Sequence, residues 1–449
     1  MISKEPIRAT DNSSCEVHDA GQFGDILNIA GLSVSQLQTG YKDSILVIPG
    51  SFDQCKDRIG DEVVCEVMGK DRIKTNNVVG FIGINGTRLK IGSRFDDKSS
   101  IQNDKDYFLQ HMLSKVLHFN LVSLNFTFSD DSIFDLLIYF FPLYLKQALA
   151  QGIYREYQTF HHNDANLKGT IDFSRHISKN YPFTGNIAYK TREYSTDNNV
   201  TELVRHTIEY IASKDIYRSI LQCDKETRDC VSQIINATPT YTRAKRQAVL
   251  AKNLRPSIHP YYSEYMALQR LCVLILQQEE VRYGNGDDEV FGLLIDCSWL
   301  WEAYLNTFLQ PMGFKHPDNV AGTGGKKLFE VSGLLRFPDF YIPDNIVLDA
   351  KYKVLEGKKM SGYGRDDLHQ IITYMDMLGM LKKGGFIFPS RTTDAMPSDI
   401  ISKRGGSVVG IPVLIPQECN TYDEFCSLIE SNIKQTQKSI KDYIDAQID

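Results

Sequence analysis

The sequence predicts an α+β protein in three parts: a β-rich N-terminal module over residues 1–100, a mainly helical region over 101–284 and a C-terminal α/β domain over 285–449. Three observations carry this. Short apolar runs separated by turn residues fill the first hundred positions, apolar residues then recur at helical spacing from Asp104 to Glu280, and beyond that helical and strand-like segments interleave. A chain of 449 residues with 42% hydrophobic content can bury two or three cores.

In the first part, Asp43–Pro49, Asp61–Met68, Val78–Ile84 and Thr87–Ile91 read as strands. Asn85-Gly86 is the two-residue hairpin signal between the last two. A small barrel or curled sheet, serving as a docking scaffold, is expected. Tyr107, Met112, Leu113, Val116 and Leu117 then form a helical stripe, and Ile133–Ala150 is so apolar that its helix must be buried, with Gly152 to end it. Asn186–Tyr194 reads as a strand running into Asp197, a candidate N-cap. Amphipathic helices follow between Glu202 and Glu280, starting with Leu203, Thr207, Ile208, Tyr210 and Ile211 and broken at Pro256 and Pro260. Within them, Arg243, Lys245, Arg246, Lys252 and Arg255 stand without an acid between them. Such a run is either a solvated helix face or a contact for DNA phosphates or an acidic partner.

The chemistry concentrates in Leu334–Tyr352. Apolar residues crowd Leu334–Ile342 and Ile346–Ala350, with Pro343, Asp344 and Asn345 as turn residues, so a hairpin is expected. Asp339, Asp349 and Lys351 are set into it. Strand side chains alternate, so Asp349 and Lys351 share a face. Two carboxylates in an apolar hairpin repel unless a cation lies between them, and hard oxygen donors of this kind suit Mg²⁺, with Mn²⁺ as a substitute. The bland alternative is a solvated hairpin with a same-face Asp349–Lys351 ion pair.

The arrangement resembles the PD-(D/E)xK nuclease motif, here Pro338-Asp339 followed by Asp349-Ala350-Lys351. The resemblance implies phosphodiester hydrolysis, with Asp339, Asp349 and the Ala350 carbonyl on the metal and Lys351 orienting or deprotonating the attacking water. It also implies a further glutamate from the preceding helix. Ser298–Leu309, with its stripe of Leu300, Trp301, Tyr304, Leu305 and Phe308, offers Glu302. Downstream, Asp367–Leu378 carries Gln370 and Tyr374 one helical turn apart, although Asp367 and Gln370 also fit a capping box. Gly384–Phe388 reads as a buried strand, completing the helix, hairpin, helix, strand order of the nuclease core.

Composition excludes several classes. A net charge of -6 argues against a globally basic nucleic-acid binder while leaving a local positive face open. Nine scattered cysteines without a CxxC pair fit free thiols in a reducing compartment. The N-terminus lacks an apolar signal core, and Ile133–Leu145, interrupted by Asp135 and Pro142, is too short to span a bilayer, so a cytoplasmic protein without membrane contact is expected. Gly322–Lys327 fails as a phosphate loop, because Val320 stands where the first glycine belongs and Lys327 where Ser or Thr does. Any nucleotide-driven motor must be another chain.

Three further segments occur in a set order: Gly152-Ile153-Tyr154-Arg155-Glu156-Tyr157 (GxxRxY), Leu167-Lys168-Gly169-Thr170-Ile171-Asp172 (LxGxID) and Thr196-Asp197-Asn198-Asn199 (TxxN). With the Leu348–Lys353 and Asp367–Gln370 segments, they resemble the McrC family, the nuclease subunits of McrBC-type restriction systems, from about Val78 to about Leu381. The resemblance implies a DNA-cutting subunit in anti-phage defence whose partner is an McrB-like AAA+ GTPase hexamer, stimulated through the adaptor half. Two rivals stay open: a non-catalytic assembly subunit, and a repair or RNA nuclease that acts alone. The helix expected over Thr421–Ile444, with a stripe of Tyr422, Phe425, Ile429, Ile433, Ile440 and Ile444, should pack on the core.

Overall fold

A computed structural model describes residues 5–446 except 41–44, 49–60, 97–105, 117–129, 216, 255–259, 283–289, 318–323, 328–334, 356–363, 380–381, 393–399 and 402–405. Contacts divide the chain into two compact units, Met1–Ile133 with Gly284–Asp449, and Phe134–Tyr283. This differs from the expected layout of 1–100, 101–284 and 285–449. The reason is a strand, Val290–Asp296, that pairs with the N-terminal strands instead of the C-terminal ones.

The N-terminal sheet runs in the order Ile7–Thr10, Thr87–Gly92, Val78–Ile84, Val290–Asp296, Ile45–Ile48. Its outer pairings are parallel and its inner ones antiparallel. Asn85 and Gly86 both take positive φ, 48° and 80°, the geometry a two-residue hairpin turn needs. A Cβ at Gly80 would collide with the Leu293 carbonyl, so the close approach of Val78–Ile84 to Val290–Asp296 requires glycine there. Where one small barrel or curled sheet was expected, there are two sheets. Ser14–Glu16, Arg72–Thr75 and Cys65–Val67 form a separate antiparallel one, and the short strands at 7, 14 and 72 carry too few residues to show periodicity.

A buried polar cluster ties this sheet to the hairpin region. The Arg94 guanidinium lies 3.2 Å from Asp11 Oδ2, and its Nη2 donates to the Tyr352 carbonyl at 2.6 Å and to Asn77 Oδ1 at 3.3 Å. It also sits 5.0 Å from the Tyr352 ring centroid, while the Tyr352 hydroxyl shares a 2.8 Å hydrogen bond with Ser93 Oγ. Burial raises the Asp11 pKa to about 6, against the opposing pull of Arg94.

The C-terminal sheet runs Phe340–Ile342, Ile346–Ala350, Lys383–Ser390, Ser407–Leu414, Ile400–Ile401. The first two strands are the expected hairpin, turned at Asp344 with φ 58°. The apolar run before it does not stay one strand: Leu335–Arg336 pairs separately with Lys326–Lys327. The helix Arg365–Met377 covers the sheet through Ile371, Tyr374 and Met375, which pack with Val347, Phe386 and Phe388. The helix Tyr422–Asp445 packs on the core as expected, burying Phe425, Ile429 and Ile440. It anchors on Ser407–Leu414 through Asn432 and Thr436, which donate to the Leu414 and Pro412 carbonyls.

In the second unit, Glu156–Asp164 and Ile187–Ser195 form a nine-residue antiparallel ribbon, with the helix Phe173–Asn180 between them in sequence. The short strand Thr170–Ile171 joins the ribbon on Ile187–Ser195, and most of the helix Asp130–Ala150, with the helices Asn199–Ala212, Lys225–Ala237, Arg246–Asn253 and Ser263–Arg282, lies in the same unit. Asp197 is not the N-cap. Asn198 caps the helix and makes a reciprocal box with Thr201, and Asp197 instead accepts from Thr240 N. The eight cysteines among the described residues are free. Among those residues, no helix is long and apolar enough to cross a membrane.

Arg94→Ala leaves the Asp11 carboxylate buried without its counter-ion and should cost about 3–5 kcal/mol of stability at pH 8. The Asp11 pKa lies above its unfolded value, so protonation favours the fold, and its ionisation costs stability as pH rises through about 6. The penalty should therefore shrink at pH 5. Urea unfolding of both proteins at the two pH values measures it, and an equal loss at both would contradict this account.

Candidate active site

The hairpin register places the predicted acids. Phe340 faces Leu348, so Asp339 comes beside the Asp349-Ala350 end of the neighbouring strand, and its Oδ2 accepts from Ala350 N at 2.7 Å. That bond fixes a half-buried carboxylate against the backbone between the other two site residues. Asp339 is steadied from the other side, where His316 Nδ1 donates to its carbonyl at 2.6 Å.

Asp349 is fully buried on a strand flanked on both sides, paired with Phe386 in parallel register. Lys351 shares its face, as the two-residue spacing predicts. Its Nζ lies 2.7 Å from Asp349 Oδ2, and Asp349 Oδ1 has no hydrogen-bond partner among the described residues. Burial raises the Asp349 pKa and Lys351 opposes the rise. For Lys351, burial works against the charge, yet Asp349 above all, with Asp339 and Asp367, outweighs it and raises the pKa. Lys351 is therefore held as an ammonium, suited to stabilising negative charge more than to taking up a proton.

The helix Arg365–Met377 supplies the rest. Gln370 Oε1 accepts from Lys351 Nζ at 3.0 Å, Gln370 Nε2 donates to the Tyr374 hydroxyl at 3.0 Å, and Tyr374 donates to the Phe337 carbonyl at 3.3 Å. The expected one-turn spacing of Gln370 and Tyr374 thus links the lysine back to the segment before Asp339. The capping-box reading of Asp367 and Gln370 does not hold, because Gly364 occupies the N-cap and makes no side-chain cap. Asp367 serves the lysines instead, accepting from Lys353 at 3.0 Å and lying 3.4 Å from Lys351 Nζ. Burial pulls its pKa upward, but Lys353 and Lys351 prevail and lower it. Sequence reasoning missed this role, since the cap pattern gave a sufficient local explanation of the same residue.

Glu302 lies half-buried on the helix Cys297–Leu309, next to Trp301, whose indole N–H reaches the Ile387 carbonyl at 3.4 Å. The basic run is used differently. Lys245 lies 3.6 Å from Glu202, Arg246 donates to the Leu276 carbonyl at 2.8 Å over the Tyr210 ring, and Lys252 donates to Asn199 Oδ1 at 3.3 Å. Arg243 is exposed, and Arg255 lies outside the described residues. Three of the five cations thus brace the helices of their own unit.

The donors fit a hard divalent cation. Among the described residues no group of three or more His, Cys, Asp or Glu side chains that could hold a metal gathers, so Asp339 and Asp349 are the side chains left to hold one, with the Ala350 carbonyl as the expected third donor. Mg²⁺ takes that few protein ligands and keeps waters for the remainder, and the buried Asp349 Oδ1, without a hydrogen-bond partner among the described residues, is an acceptor that a cation would satisfy.

The family described as McrBC 5-methylcytosine restriction system component matches residues 73–389, well over half of the chain. No curated protein matches it significantly. Among solved structures, the chain is similar to one in the refined half-complex from the tetradecameric assembly of Thermococcus gammatolerans McrB AAA+ hexamers with bound McrC. The TM-score is 0.51 at 16% identity, over 97% of this chain and 100% of that one. A chain of the Thermococcus gammatolerans McrBC complex solved by cryo-EM aligns at TM-score 0.33 and 16% identity, over 70% and 90% of the two chains. At such identity the first likeness speaks to fold, and the second is too weak to use. The α+β architecture and the sequence match agree: the chain belongs to the family of McrBC 5-methylcytosine restriction system components.

Proposed function

We propose that this chain is the Mg²⁺-dependent DNA endonuclease subunit of a two-component, McrBC-like restriction system. One observation carries the reading: Asp339 is held against Ala350 N at 2.7 Å while Lys351 stands 2.7 Å from Asp349, so two carboxylates and an ammonium meet at one strand end. Asp339, Asp349 and the Ala350 carbonyl would hold the metal, with Mn²⁺ as a substitute. When bound, that cation supplies Lewis-acid charge at the scissile phosphate. The protein's own groups do the rest. Lys351, kept protonated by its acidic neighbours, offsets charge on the pentavalent phosphorus and orients the attacking water. Gln370 and Asp367 hold its amine in place, and Glu302 supports the site from the preceding helix.

The McrC of the structural relative is bound to McrB AAA+ hexamers. By extension, an AAA+ GTPase hexamer is the partner here, and the unit Phe134–Tyr283 is where it docks. The helix after the first ribbon strand and the residues following it leave Phe173, Ile177, Tyr181 and Phe183 exposed at 69%, 65%, 85% and 65%. Such a cluster is unusual on a free surface and suits an interface. The family match and the absence of any nucleotide fingerprint in this chain both favour a separate motor.

Asp349→Asn and Lys351→Ala should each lower Mg²⁺-dependent cutting of DNA, in the presence of the partner, by roughly a hundredfold or more. Circular dichroism and co-purification with the partner should be unchanged. Undiminished cutting by either variant sinks the assignment, and a wild type that never cuts makes the chain an assembly subunit. Separately, the double change Phe173→Asp with Ile177→Asp should abolish co-purification with the AAA+ partner while leaving thermal unfolding in place; retained assembly would move the interface elsewhere.

A further inference from the structure

A small basic ribbon stands next to the proposed site. Lys326–Lys327 pairs antiparallel with Leu335–Arg336, which puts Lys326 directly opposite Arg336. Like charges facing each other across a two-stranded ribbon repel, a cost that an anion between them removes. The ribbon is fastened to the hairpin: Lys326 Nζ lies 5.4 Å from the Tyr341 ring centroid, and Tyr341 follows Asp339 by two residues. Lys315 joins the same edge, its N donating to the Tyr341 carbonyl at 2.8 Å and its carbonyl accepting from Tyr341 N at 3.0 Å. His316, stacked on Phe340 with ring centroids 4.7 Å apart, completes the wall against Asp339.

These cations differ from the others nearby. Lys351 and Lys353 are held by Asp367, and Arg94 by Asp11. Among the described residues, no carboxylate pairs with Lys315, Lys326, Lys327 or Arg336, and the hydrogen bond of Arg336 goes to the carbonyl of its own neighbour, Leu335, at 3.3 Å. On a chain of net charge -6, positive charge without a carboxylate partner among the described residues thus gathers on the Asp339 side of the hairpin. We infer that Lys315 and the ribbon Lys326, Lys327 and Arg336 form a clamp for the DNA backbone, gripping phosphates that flank the one to be cut. The inference rests on the nuclease reading of the acids and adds the surface that presents the substrate to them.

The test measures binding without cutting. A fluorescein-labelled DNA duplex is titrated with the full chain in Ca²⁺ without Mg²⁺, over a series of salt concentrations, and followed by anisotropy. Lys326→Gln/Lys327→Gln/Arg336→Gln should bind at least about tenfold more weakly at low salt, with the slope of log K against log salt shallower by about 0.9 for each phosphate that the variant no longer neutralises. Lys327→Gln alone, at an exposed position, should give about one such step without disturbing the fold. Lys438→Gln, exposed on the C-terminal helix, should change neither value. Unchanged affinity and slope in the triple variant overturn the clamp. If the wild type binds with the predicted slope but never cuts under Mg²⁺, the nuclease reading falls and the clamp stands.

Discussion

A carboxylate with no exposed surface, Asp349, sits at the end of a strand covered on both sides, and the C-terminal domain is arranged around that fact. Burying an isolated carboxylate costs several kcal/mol, so the surroundings must supply positive charge. Lys351 supplies it because two residues along a strand return to the same face. A lysine drawn into a buried site needs partners in turn, and Gln370 and Asp367 provide them from a helix fixed on the sheet by Ile371 and Met375. Asp339 then depends on the register of a three-residue strand, which brings it to Ala350 N. Lys351 and the helix residues that hold it are thus placed by the need to balance the group before them, and Asp339 by strand register.

The N-terminal sheet is part of the same construction. Its Val290–Asp296 strand runs directly into the helix Cys297–Leu309, which carries Glu302 and buries Trp301 against Ile387. Arg94, on the chain just after the strand Thr87–Gly92 of the same sheet, holds the carbonyl of the residue that follows Lys351. The backbone around the lysine is therefore braced from a sheet whose other strands lie far earlier in the chain. A detachable adaptor would not be built this way. The unit Phe134–Tyr283, by contrast, carries its own core and the large exposed apolar cluster on its ribbon and short helix.

Charge is distributed unevenly between internal and outward use. Cations of the Arg243–Lys252 run go to backbone carbonyls, an amide oxygen and Glu202 within their unit, although in sequence they form the most conspicuous basic stretch. The ribbon at Lys326 and Arg336 is short enough to pass unnoticed in the sequence, yet its cations keep no carboxylate among the described residues. Local density of basic residues is a poor guide to where a phosphate would be met, because helical residues can turn back onto neighbouring helices while a two-stranded ribbon has no interior to receive them.

The hairpin, the common face of Asp349 and Lys351, the pairing of Gln370 with Tyr374 and the packing of the C-terminal helix were legible because each depends on a period of two or about 3.6 and on turn residues within a few positions. The same local rules misplaced the N-cap at Asp197, gave Asp367 a capping role and joined Leu335 to Ile342 in one strand. In each case a distant partner, Thr240, Lys353 or Lys326–Lys327, claimed the group. By itself the sequence determined which side chains can share a face. Tertiary structure decided which strands become neighbours, such as Val290–Asp296 beside Val78–Ile84, and which charge balances which. Strand pairing and ion pairing are settled by the free energy of closing contacts between segments far apart in the chain, and no window of adjacent residues contains that quantity.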